Sequence, residues 1–507
     1  MDPLRYPDSH SARLSRRRVL QYGAAAAALG TFGALRPVDR ALGAVPTKRR
    51  IREAGSLPFP GRPVGKKTWE FPFDHIVLVM QENHSFDNYL GMLPVCGQPK
   101  ADGFTFNKRD EPINWNPLGK ERMYVYRQSG AIGANDTGSQ SWNDSHLQIA
   151  NGAMNGFAKT GPGSMGYYTE DELPFYYSLA KTFALANRWF CSVPAQTYPN
   201  RRFLMAGTAT GVIQTSMDTL TTYPKNGTIW DQLSRHGISW ANYFSDAPTT
   251  AIILDTELRH TVNLRRIEQF YVDAALGNLP AVSLVDCNMG AIQTEVPGVV
   301  ESLPAPVPTF TRVPDTAIDI TCESEENPED VQLGEAFVAR VVNAVMNGKN
   351  WDRTLLIWFY DEHGGYYDHV APPSAIEPDG WKPDLQRDNL PGAYNLLGPR
   401  VPAVVVSPYA RKHGVTNVVH DHTSVLATIE RQWNLPALTR RDANASTLAD
   451  FLDTSKPAFY DPPSLAKPAN PTPGLLAGYQ HGRPNPPSPA KTRPKGGTEP
   501  AGSKPKR

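Results

Sequence analysis

Short apolar runs alternate with stretches of helical period over most of the chain. Four runs have the length and continuous hydrophobicity of buried parallel strands, namely 76–80, 281–285, 355–360 and 402–406. Two further segments place apolar residues at helical spacing, namely Val331–Met346 and Thr423–Trp433. Strands that alternate with helices in this way predict an α/β fold, in which a mainly parallel central sheet has helices on both faces.

Long segments rich in turn residues interrupt this alternation at 100–145 and 288–328. In α/β enzymes such insertions commonly build the substrate pocket. We therefore expect two long loop insertions that shape the site.

The chain has 507 residues, of which 40% are hydrophobic and 20% are charged. That composition can bury a large core, and it excludes a wholly disordered protein or a small disulfide-rich one. There are 51 Lys and Arg against 50 Asp and Glu, so the net charge gives no reason to expect a nucleic-acid partner. The sequence predicts one large domain over 71–460, with shorter segments on either side.

The first 44 residues have the layout of an export signal. Arg16, Arg17 and Arg18 precede an uncharged, alanine-rich stretch over 22–35. That stretch is shorter than the roughly 20 apolar residues that a membrane-spanning helix needs. Adjacent arginines before a weakly apolar run resemble the twin-arginine signal. We expect 1–44 to be removed after passage through the twin-arginine translocase, 45–70 to be a linker, and the mature protein to lie in the cell envelope or outside the cell.

Residues 461–507 differ in composition from the rest of the chain. From Pro462 onwards there are twelve prolines, eight Lys or Arg and one acidic residue in 46 positions. Such a segment cannot support a core, which predicts a disordered basic tail. Its charge is compatible with peripheral contact with an anionic membrane, and also with a merely solvated extension, which is the simpler interpretation.

The chain has four cysteines, at Cys96, Cys191, Cys287 and Cys322, without the CxxC spacing of zinc or haem sites. An exported protein meets an oxidising compartment, where disulfides are permitted. The sequence does not distinguish between two states of these cysteines. They form one or two disulfides, or they are four buried free thiols.

Polar residues directly follow two of the predicted strands. The run 76–80 is followed by QENHSFD, and the run 355–360 by DEHGG. In open α/β sheets ligands bind beyond the carboxyl ends of the strands. Carboxylate and amide oxygens that converge there suit a divalent cation, which also relieves the repulsion between neighbouring acids. The alternative is that Glu82 and Asp361 cap helices or form ion pairs, but two matching junctions favour the metal.

Between these junctions lies the turn AQTYPNRRF, which includes Thr197, Arg201 and Arg202. A threonine hydroxyl is a poor nucleophile at neutral pH unless a cation lowers its pKa. A guanidinium can bind phosphate with two hydrogen bonds, although it also commonly caps a helix or forms an ion pair. The residues therefore predict a metal-dependent site for phosphoryl or sulfuryl transfer.

Four blocks, FDHIVLVMQENHSFDNYLG, TYPNRRF, TLLIWFYDEHGGYYDHV and HDHTSVLATIE, resemble a known family. It is the bacterial phosphoesterase family, which includes phospholipases C that hydrolyse phosphatidylcholine and related acid phosphatases. The resemblance covers roughly 71–453 and keeps the blocks in order. It implies an alkaline-phosphatase-like α/β fold, and a twin-arginine leader is usual in the family.

The resemblance also implies roles for individual residues. Metal ligands are Glu82, Asn83, Asp361 and Glu362, together with Thr197, which is also the nucleophile. Two histidines, His146 and His363, are implied as catalytic residues close to the substrate, and Asn200 and Arg201 as substrate-binding residues. The resemblance assigns no role to His422. Where the family usually has a histidine before the helix that leads to the DEHGG strand, this chain has Asn327, which cannot donate a proton at neutral pH.

The expected activity is that of an exported phospholipase C, which uses a divalent metal of undetermined identity and a phospho-threonine intermediate. An acid phosphatase on the same fold is the close alternative, and a non-catalytic exported binding protein a more remote one. A sulfatase would need Cys or Ser where this chain has Thr197. Five aromatic residues are candidates for a choline-binding cage or for ordinary packing: Tyr124, Tyr126, Trp142, Tyr167 and Tyr168.

Overall fold

The computed structural model describes residues 51–469, except 129, 132, 134, 135, 290–321 and 328. The predicted leader over 1–44, the first part of the predicted linker and the tail beyond 469 lie outside the described residues. So does most of the predicted loop over 288–328.

Twelve strands are described. In chain order they are β1 (His75–Gln81), β2 (Trp115–Leu118), β3 (Glu121–Tyr124), β4 (Tyr126–Arg127), β5 (Gly166–Tyr167), β6 (Ala184–Ala186), β7 (Trp240–Phe244), β8 (Leu264–Arg266), β9 (Val282–Asp286), β10 (Thr354–Tyr360), β11 (Ala403–Val406) and β12 (Val415–Thr416). Eight of them form the central sheet in the order β12-β6-β11-β10-β1-β9-β7-β8.

All neighbouring pairs in this sheet are parallel except the two made by β11, which runs antiparallel to β10 and to β6. The predicted α/β class with a mainly parallel sheet is confirmed. The prediction that 402–406 forms a parallel strand was wrong in direction, because a short buried run has the same apolar pattern whichever way it runs.

Eleven α-helices surround the sheet in the described part of the chain. They are α1 (Phe86–Leu90), α2 (Trp142–Ile149), α3 (Phe157–Thr160), α4 (Pro174–Thr182), α5 (Thr197–Ala206), α6 (Ile229–Arg235), α7 (Leu254–Arg259), α8 (Ile267–Leu276), α9 (Val331–Met346), α10 (Thr423–Trp433) and α11 (Arg440–Asn444). The two helices predicted from periodicity are α9 and α10, and both are confirmed with their predicted bounds.

Local sequence explains where α9 begins. The side chain of Asp330 accepts a hydrogen bond from the backbone N–H of Gln332, which satisfies one of the free donors of the first turn. The apolar face of the helix is buried in the main core, which also contains β1 and β10. Burial of this face stabilises the helix more than its intrinsic propensity does.

Strand β7 was not predicted from the sequence, although all five of its residues are buried. Its run WANYF contains Asn242, which breaks an apolar pattern. The Asn242 side chain donates to Asp286 Oδ2 at 2.7 Å and accepts from Thr250. Asn242 can therefore be buried in a strand, because the folded chain brings Asp286 and Thr250 within hydrogen-bonding distance.

The register between β1 and β10 decides where the site lies. His75 pairs with Thr354 at one end, and Gln81 pairs with Tyr360 at the other. Because the strands are parallel and end together, the residues that follow them leave the sheet side by side. Glu82 and Asp361 are these residues.

The described parts of the predicted linker and of the predicted tail both contact the domain. In the predicted linker, the backbone N–H of Arg52 donates to Asn444, and that of Phe59 donates to Asn434. At the start of the predicted tail, Ala466 and Ala469 donate to Ser178 and Glu335. The described parts of both segments are therefore bonded to residues of the predicted domain.

All four cysteines are free thiols, three of them buried and Cys96 partly exposed. This resolves the open alternative in favour of unpaired cysteines. In the part of the chain that the structure describes, no helix is both long enough and apolar enough to cross a bilayer.

A buried ion network joins α1 to the loop that follows β10. Arg400 donates to Asp368 at 2.9 Å and to Asp87 at 3.1 Å, and all three side chains are inaccessible to solvent. His369 Nδ1 lies 2.6 Å from Asp87 and its Nε2 lies 3.5 Å from Asp102. Removing one partner of such a network leaves a buried charge without compensation, which typically costs about 3–5 kcal/mol.

The network predicts a pH-dependent stability. Burial lowers the pKa of His369, but Asp87 and Asp102 raise it more, to about 9, above its ordinary value of 6.5. The charged ring therefore stabilises the fold below about pH 6.5, and this contribution is lost as the pH rises through about 9. We expect the free energy of unfolding of the wild type in urea to fall over this range, and His369→Asn to show a much smaller fall. An equal fall in both proteins would contradict this assignment.

Candidate active site

The predicted acidic residues meet around the first residue of α5. Thr197 Oγ1 lies 3.1 Å from Glu82 Oε1 and 2.9 Å from Glu362 Oε1. Thr197 is 6% exposed, Glu82 is 5% exposed, and Asp361 and Glu362 are not exposed at all. The threonine and three carboxylates, which come from three separate parts of the sequence, therefore form one buried cluster.

The loops after β1 and β10 are held together by their backbones. The N–H of Asn83 donates to Asp361 Oδ1 at 3.1 Å, and Asn83 itself has a positive φ of 70°. Gly364 has a φ of +61°, and a Cβ there would lie 1.9 Å from the carbonyl oxygen of Asn83. Glycine is required at this position because no other residue permits so close an approach.

Arg201 is placed beneath the carboxylates. Its Nε donates to Asp361 at 2.8 Å, and one of its two terminal nitrogens, Nη2, lies 3.7 Å from Glu82 Oε2. The guanidinium is 1% exposed, and Nη2 has no hydrogen-bond partner in the described structure. Arg201 thus offsets part of the negative charge of the cluster, and its Nη2 remains available to a bound anion.

Asn200 does not fit the predicted role in substrate binding. Its Nδ2 donates to the carbonyls of Val193, Ala195 and Gln196, and its Oδ1 accepts from the N–H of Val193. Both the nitrogen and the oxygen of its amide are therefore bonded to backbone groups. Asn200 therefore shapes the turn that presents Thr197. Arg202 likewise donates to the carbonyls of Thr222 and Ile252.

The charges of this cluster are not balanced by the protein alone. Burial raises the pKa of Glu82 well above its ordinary value, and the charges of Glu326 and Asp361 add to the rise. Burial and the charge of Asp361 raise the pKa of Glu362 in the same way. Ionised carboxylates this close in a medium of low dielectric repel one another, so at neutral pH the cluster needs more positive charge than Arg201 supplies.

The residues fit a divalent cation at this point. Asn83 Oδ1 and Glu362 Oε2 are buried without a hydrogen-bond partner in the described structure. Unpaired buried oxygens are rare in native proteins and need an explanation. Oxygen donors from Glu82, Asn83, Asp361, Glu362 and Thr197 suit a hard cation.

His363 follows Glu362 and is oriented by α2. Its Nε2 lies 2.6 Å from Gln148 Oε1, while Gln148 Nε2 donates to the carbonyl of Ser139 and to Thr160 Oγ1. Thr160 Oγ1 itself donates to a carbonyl, so it can only accept from Gln148. The amide orientation is therefore fixed, and Nε2 of His363 must carry the proton.

It follows that Nδ1 of His363 is an acceptor when the ring is neutral. This buried nitrogen has no hydrogen-bond partner among the described residues, and burial lowers the pKa of His363 to about 3. The ring is thus arranged to accept a hydrogen bond at the site.

The other two predicted histidines have different surroundings. His146 Nδ1 lies 2.7 Å from the carbonyl of Trp142, on whose ring it packs, and its contacts are on α2. His422 Nε2 donates to the backbone carbonyl of Asp361 at 2.6 Å. Its Nδ1 faces Trp189 Nε1 at 3.4 Å. His422 therefore supports the strand end that carries Asp361, a role that the sequence did not indicate.

A family model described as the phosphoesterase family matches residues 73–436 of this chain. The protein belongs to the phosphoesterase family. It is a phosphoric ester hydrolase, as the resemblance of its four sequence blocks indicated.

Named relatives agree with this membership. Non-specific phospholipase C6 of Arabidopsis thaliana is 29% identical over 418 residues, covering 76% of this chain and 74% of the relative. Phospholipase C A of Mycobacterium tuberculosis (strain ATCC 25618 / H37Rv) is 28% identical over 440 residues, covering 78% and 79%.

The solved structures that this chain matches are more distant in sequence. A protein in the alkaline phosphatase superfamily from Vibrio parahaemolyticus is 12% identical, with a TM-score of 0.31, and the match covers 71% of this chain and 80% of that one. The lipoteichoic acid synthase LtaP from Listeria monocytogenes is 9% identical, with a TM-score of 0.35. The match covers 76% of this chain and 80% of that one. The α/β class assigned to this phosphoesterase rests on its own sheet.

A second group of acidic side chains in this phosphoesterase has metal-like spacing. One ligand atom from each of Asp87, Asp368 and His369 lies within 4.8 Å of the others. Such a group could hold a cation, but Arg400 already donates to both aspartates. Among the described residues, the cluster around Thr197 instead has buried oxygens without a hydrogen-bond partner, which suit a cation better.

The five aromatic candidates for a choline cage do not lie together. Tyr126 and Tyr167 pack in one hydrophobic cluster, Trp142 in a second and Tyr168 in the main core. Tyr124 is buried as well. Ordinary packing is the better interpretation of these residues.

Two surface clefts of about 560 and 500 Å³ are lined by Lys225, Asn226 and their neighbours. Neither is lined by Thr197 or by the acidic residues around it. The site of this phosphoesterase is thus identified by its chemistry and not by the size of a cleft.

Sequence reasoning missed Gln148 and Glu325. Gln148 lies two residues after His146, yet its contact with His363 spans 215 positions. Nothing local marks an amide as the partner of a distant histidine. Glu325 lies in a segment without apolar periodicity, so only the fold shows that it is buried.

The metal assignment predicts a stabilisation that depends on Glu362. A divalent cation at a hundred times its dissociation constant should stabilise metal-stripped wild type by about 2.7 kcal/mol, measured as a rise in Tm. Glu362→Gln should lose most of this rise, because it removes a ligand charge. Asp368→Asn is the matched control in the other acidic group and should keep it. The opposite pattern would assign the metal to Asp87, Asp368 and His369.

Proposed function

We propose that this phosphoesterase is an exported phospholipase C that hydrolyses phosphatidylcholine-type phospholipids to diacylglycerol and a phosphorylated head group. The observation that carries the proposal is the hydroxyl of Thr197, which lies between two carboxylates at the N-terminus of α5. Relatives named phospholipase C, from a plant and from a bacterium, support this choice of reaction.

Thr197 is the nucleophile in this proposal. Its proton has two acceptors within hydrogen-bonding distance, Glu82 Oε1 and Glu362 Oε1. A divalent cation held by the surrounding oxygens would supply positive charge that lowers the pKa of the hydroxyl and neutralises the substrate phosphate. Positive charge also comes from Arg201 Nη2, which has no hydrogen-bond partner of its own in the described structure.

The reaction then takes two displacements at phosphorus. Thr197 Oγ1 gives up its proton to Glu82 or Glu362 and forms a bond to phosphorus, while the bond to the diacylglycerol oxygen breaks and that oxygen takes up the proton that the threonine released. Water next attacks the phospho-threonine, releases the phosphorylated head group and restores the threonine hydroxyl.

His363 has a role different from that of a proton donor. Because Nδ1 carries no hydrogen in the neutral ring, it can accept a proton or a hydrogen bond from water during the second displacement. The proton for the departing alcohol therefore comes from another group.

Hydrolysis of two chromogenic substrates tests the proposal. We expect wild type to prefer p-nitrophenylphosphorylcholine over p-nitrophenyl phosphate, and a chelator to abolish turnover. Thr197→Ala should lower kcat by a factor of about 10³ or more, whereas Thr197→Ser, which keeps a hydroxyl, should retain measurable activity.

Thr428→Ala is the control, because Thr428 is a buried threonine whose hydroxyl bonds only to backbone groups of Ser424 and Leu448. Its turnover should remain close to that of the wild type. Preference for the monoester would make the protein an acid phosphatase with the same site. Full activity in Thr197→Ala would disprove the nucleophile.

Export by the twin-arginine route is part of the proposal, as is peripheral contact with the membrane that holds the substrate. Replacing Arg16 and Arg17 together by lysine should keep the full-length protein in the cytoplasm of a host with this translocase, as measured by cell fractionation. Replacing Arg5 and Arg13 in the same way should leave export unchanged. Export of the first variant at the wild-type level would argue against this route.

A further inference from the structure

Glu325 lies at the base of the site, outside the set of residues used above. Its side chain is completely buried. The carboxylate accepts hydrogen bonds from Tyr89 at 2.6 Å and from Tyr176 at 2.5 Å, and also from Tyr360. The side-chain amide of Gln81 donates to it at 3.3 Å. Four donors thus meet one carboxylate, and among the described residues it forms no ion pair.

These donors connect Glu325 to the two strands that carry the metal ligands. Gln81 is the last residue of β1 and directly precedes Glu82. Tyr360 is the last residue of β10 and directly precedes Asp361. The Glu325 carboxylate therefore bridges the final residues of both strands, one residue before each ligand pair begins.

The backbone of Glu325 is also held in position by a hydrogen bond. Its carbonyl oxygen lies 2.8 Å from Nε2 of His84, the residue that follows Asn83. Its φ is +71°, a left-handed conformation that is unfavourable for a residue with a side chain. Gly334 on α9 leaves room for the carboxylate, because a Cβ there would lie 2.1 Å from Glu325 Oε1.

We infer that Glu325 is a positioning residue for the metal site, and that its carboxylate sets the spacing between the Glu82–Asn83 and Asp361–Glu362 pairs. The inference rests on the proposed function, in which these pairs hold the cation. A carboxylate is required because three hydroxyls and an amide all donate to it. A glutamine in its place has one oxygen and an N–H₂ group, so some of these donors lose their acceptor.

The experiment compares Glu325→Gln with Glu335→Gln. Glu335 is another fully buried glutamate, on α9, and its carboxylate accepts from the backbone N–H groups of Phe175 and Tyr176. It makes no bond to β1 or β10 among the contacts of the described residues. Both substitutions replace a buried carboxyl group and should lower stability, but only Glu325→Gln should disturb the metal ligands.

Three quantities are measured on each protein. They are the Tm in chelator, the affinity for Mn²⁺ and for Zn²⁺ by calorimetry without substrate, and kcat and KM on p-nitrophenylphosphorylcholine. We expect Glu325→Gln to bind the ions about 10- to 100-fold more weakly, as other residues that orient metal ligands do. Its kcat should fall while KM changes less than about twofold, and Glu335→Gln should keep the wild-type ion affinity.

A folded Glu325→Gln protein with wild-type ion affinity overturns the inference. So does an equal loss of affinity in Glu335→Gln, which would show a general effect of instability. If Glu325→Gln does not fold, Tyr360→Phe is compared with Tyr176→Phe. Each removes one donor to Glu325, and only Tyr360 adjoins a ligand pair, so equal ion affinities in these two variants overturn the inference as well.

The outcomes separate this inference from the proposed function. Wild type that binds the ions but does not cleave the choline diester contradicts the phospholipase proposal alone. Wild type that cleaves the diester, with Glu325→Gln unchanged in ion affinity, contradicts the positioning role alone. Wild type that binds neither ion overturns the metal site and the inference that depends on it.

Discussion

The repulsion between buried carboxylates at the ends of β1 and β10 is the constraint on which the site depends. Parallel strands in register bring Glu82, Asp361 and Glu362 to one point away from water. Like charges at such separations in a low dielectric cannot all remain ionised without compensation. Arg201 and the positive end of α5 supply part of it, and the buried oxygens that have no partner among the described residues suit a cation.

The same constraint explains why the surroundings of the site are polar and buried at once. Glu325 joins the two strand ends through Gln81 and Tyr360, and the Arg400 network fixes the loop that leaves β10. Each network is satisfied by several hydrogen bonds, which is the condition under which a buried charge is tolerated. Polar partners of this kind hold ligands more rigidly than apolar contacts do, because hydrogen bonds are directional.

The histidines show that residue type does not settle a chemical role. His363 and His422 occur in blocks that resemble the family, and the resemblance also implies a role for His146, yet the hydrogen bonds of the three rings differ. Gln148 makes His363 Nδ1 an acceptor, and His422 donates to the backbone of Asp361. The tautomer of an imidazole is set by what its other nitrogen contacts. In the neutral ring, Nδ1 of His363 therefore accepts a hydrogen bond and has no proton to donate.

The sequence by itself determined the class of fold, the family and the residues that meet at the site. Long apolar periods predicted α9 and α10, and polar residues directly after two apolar runs predicted that Glu82 and Asp361 would converge. Such signals are local, so one chain is enough to see them. The direction of β11, the backbone role of Asn200 and the positions of Gln148 and Glu325 were decided by the tertiary structure. Their partners lie far away in sequence, and only the folded chain brings a donor, an acceptor or a neighbouring strand within reach.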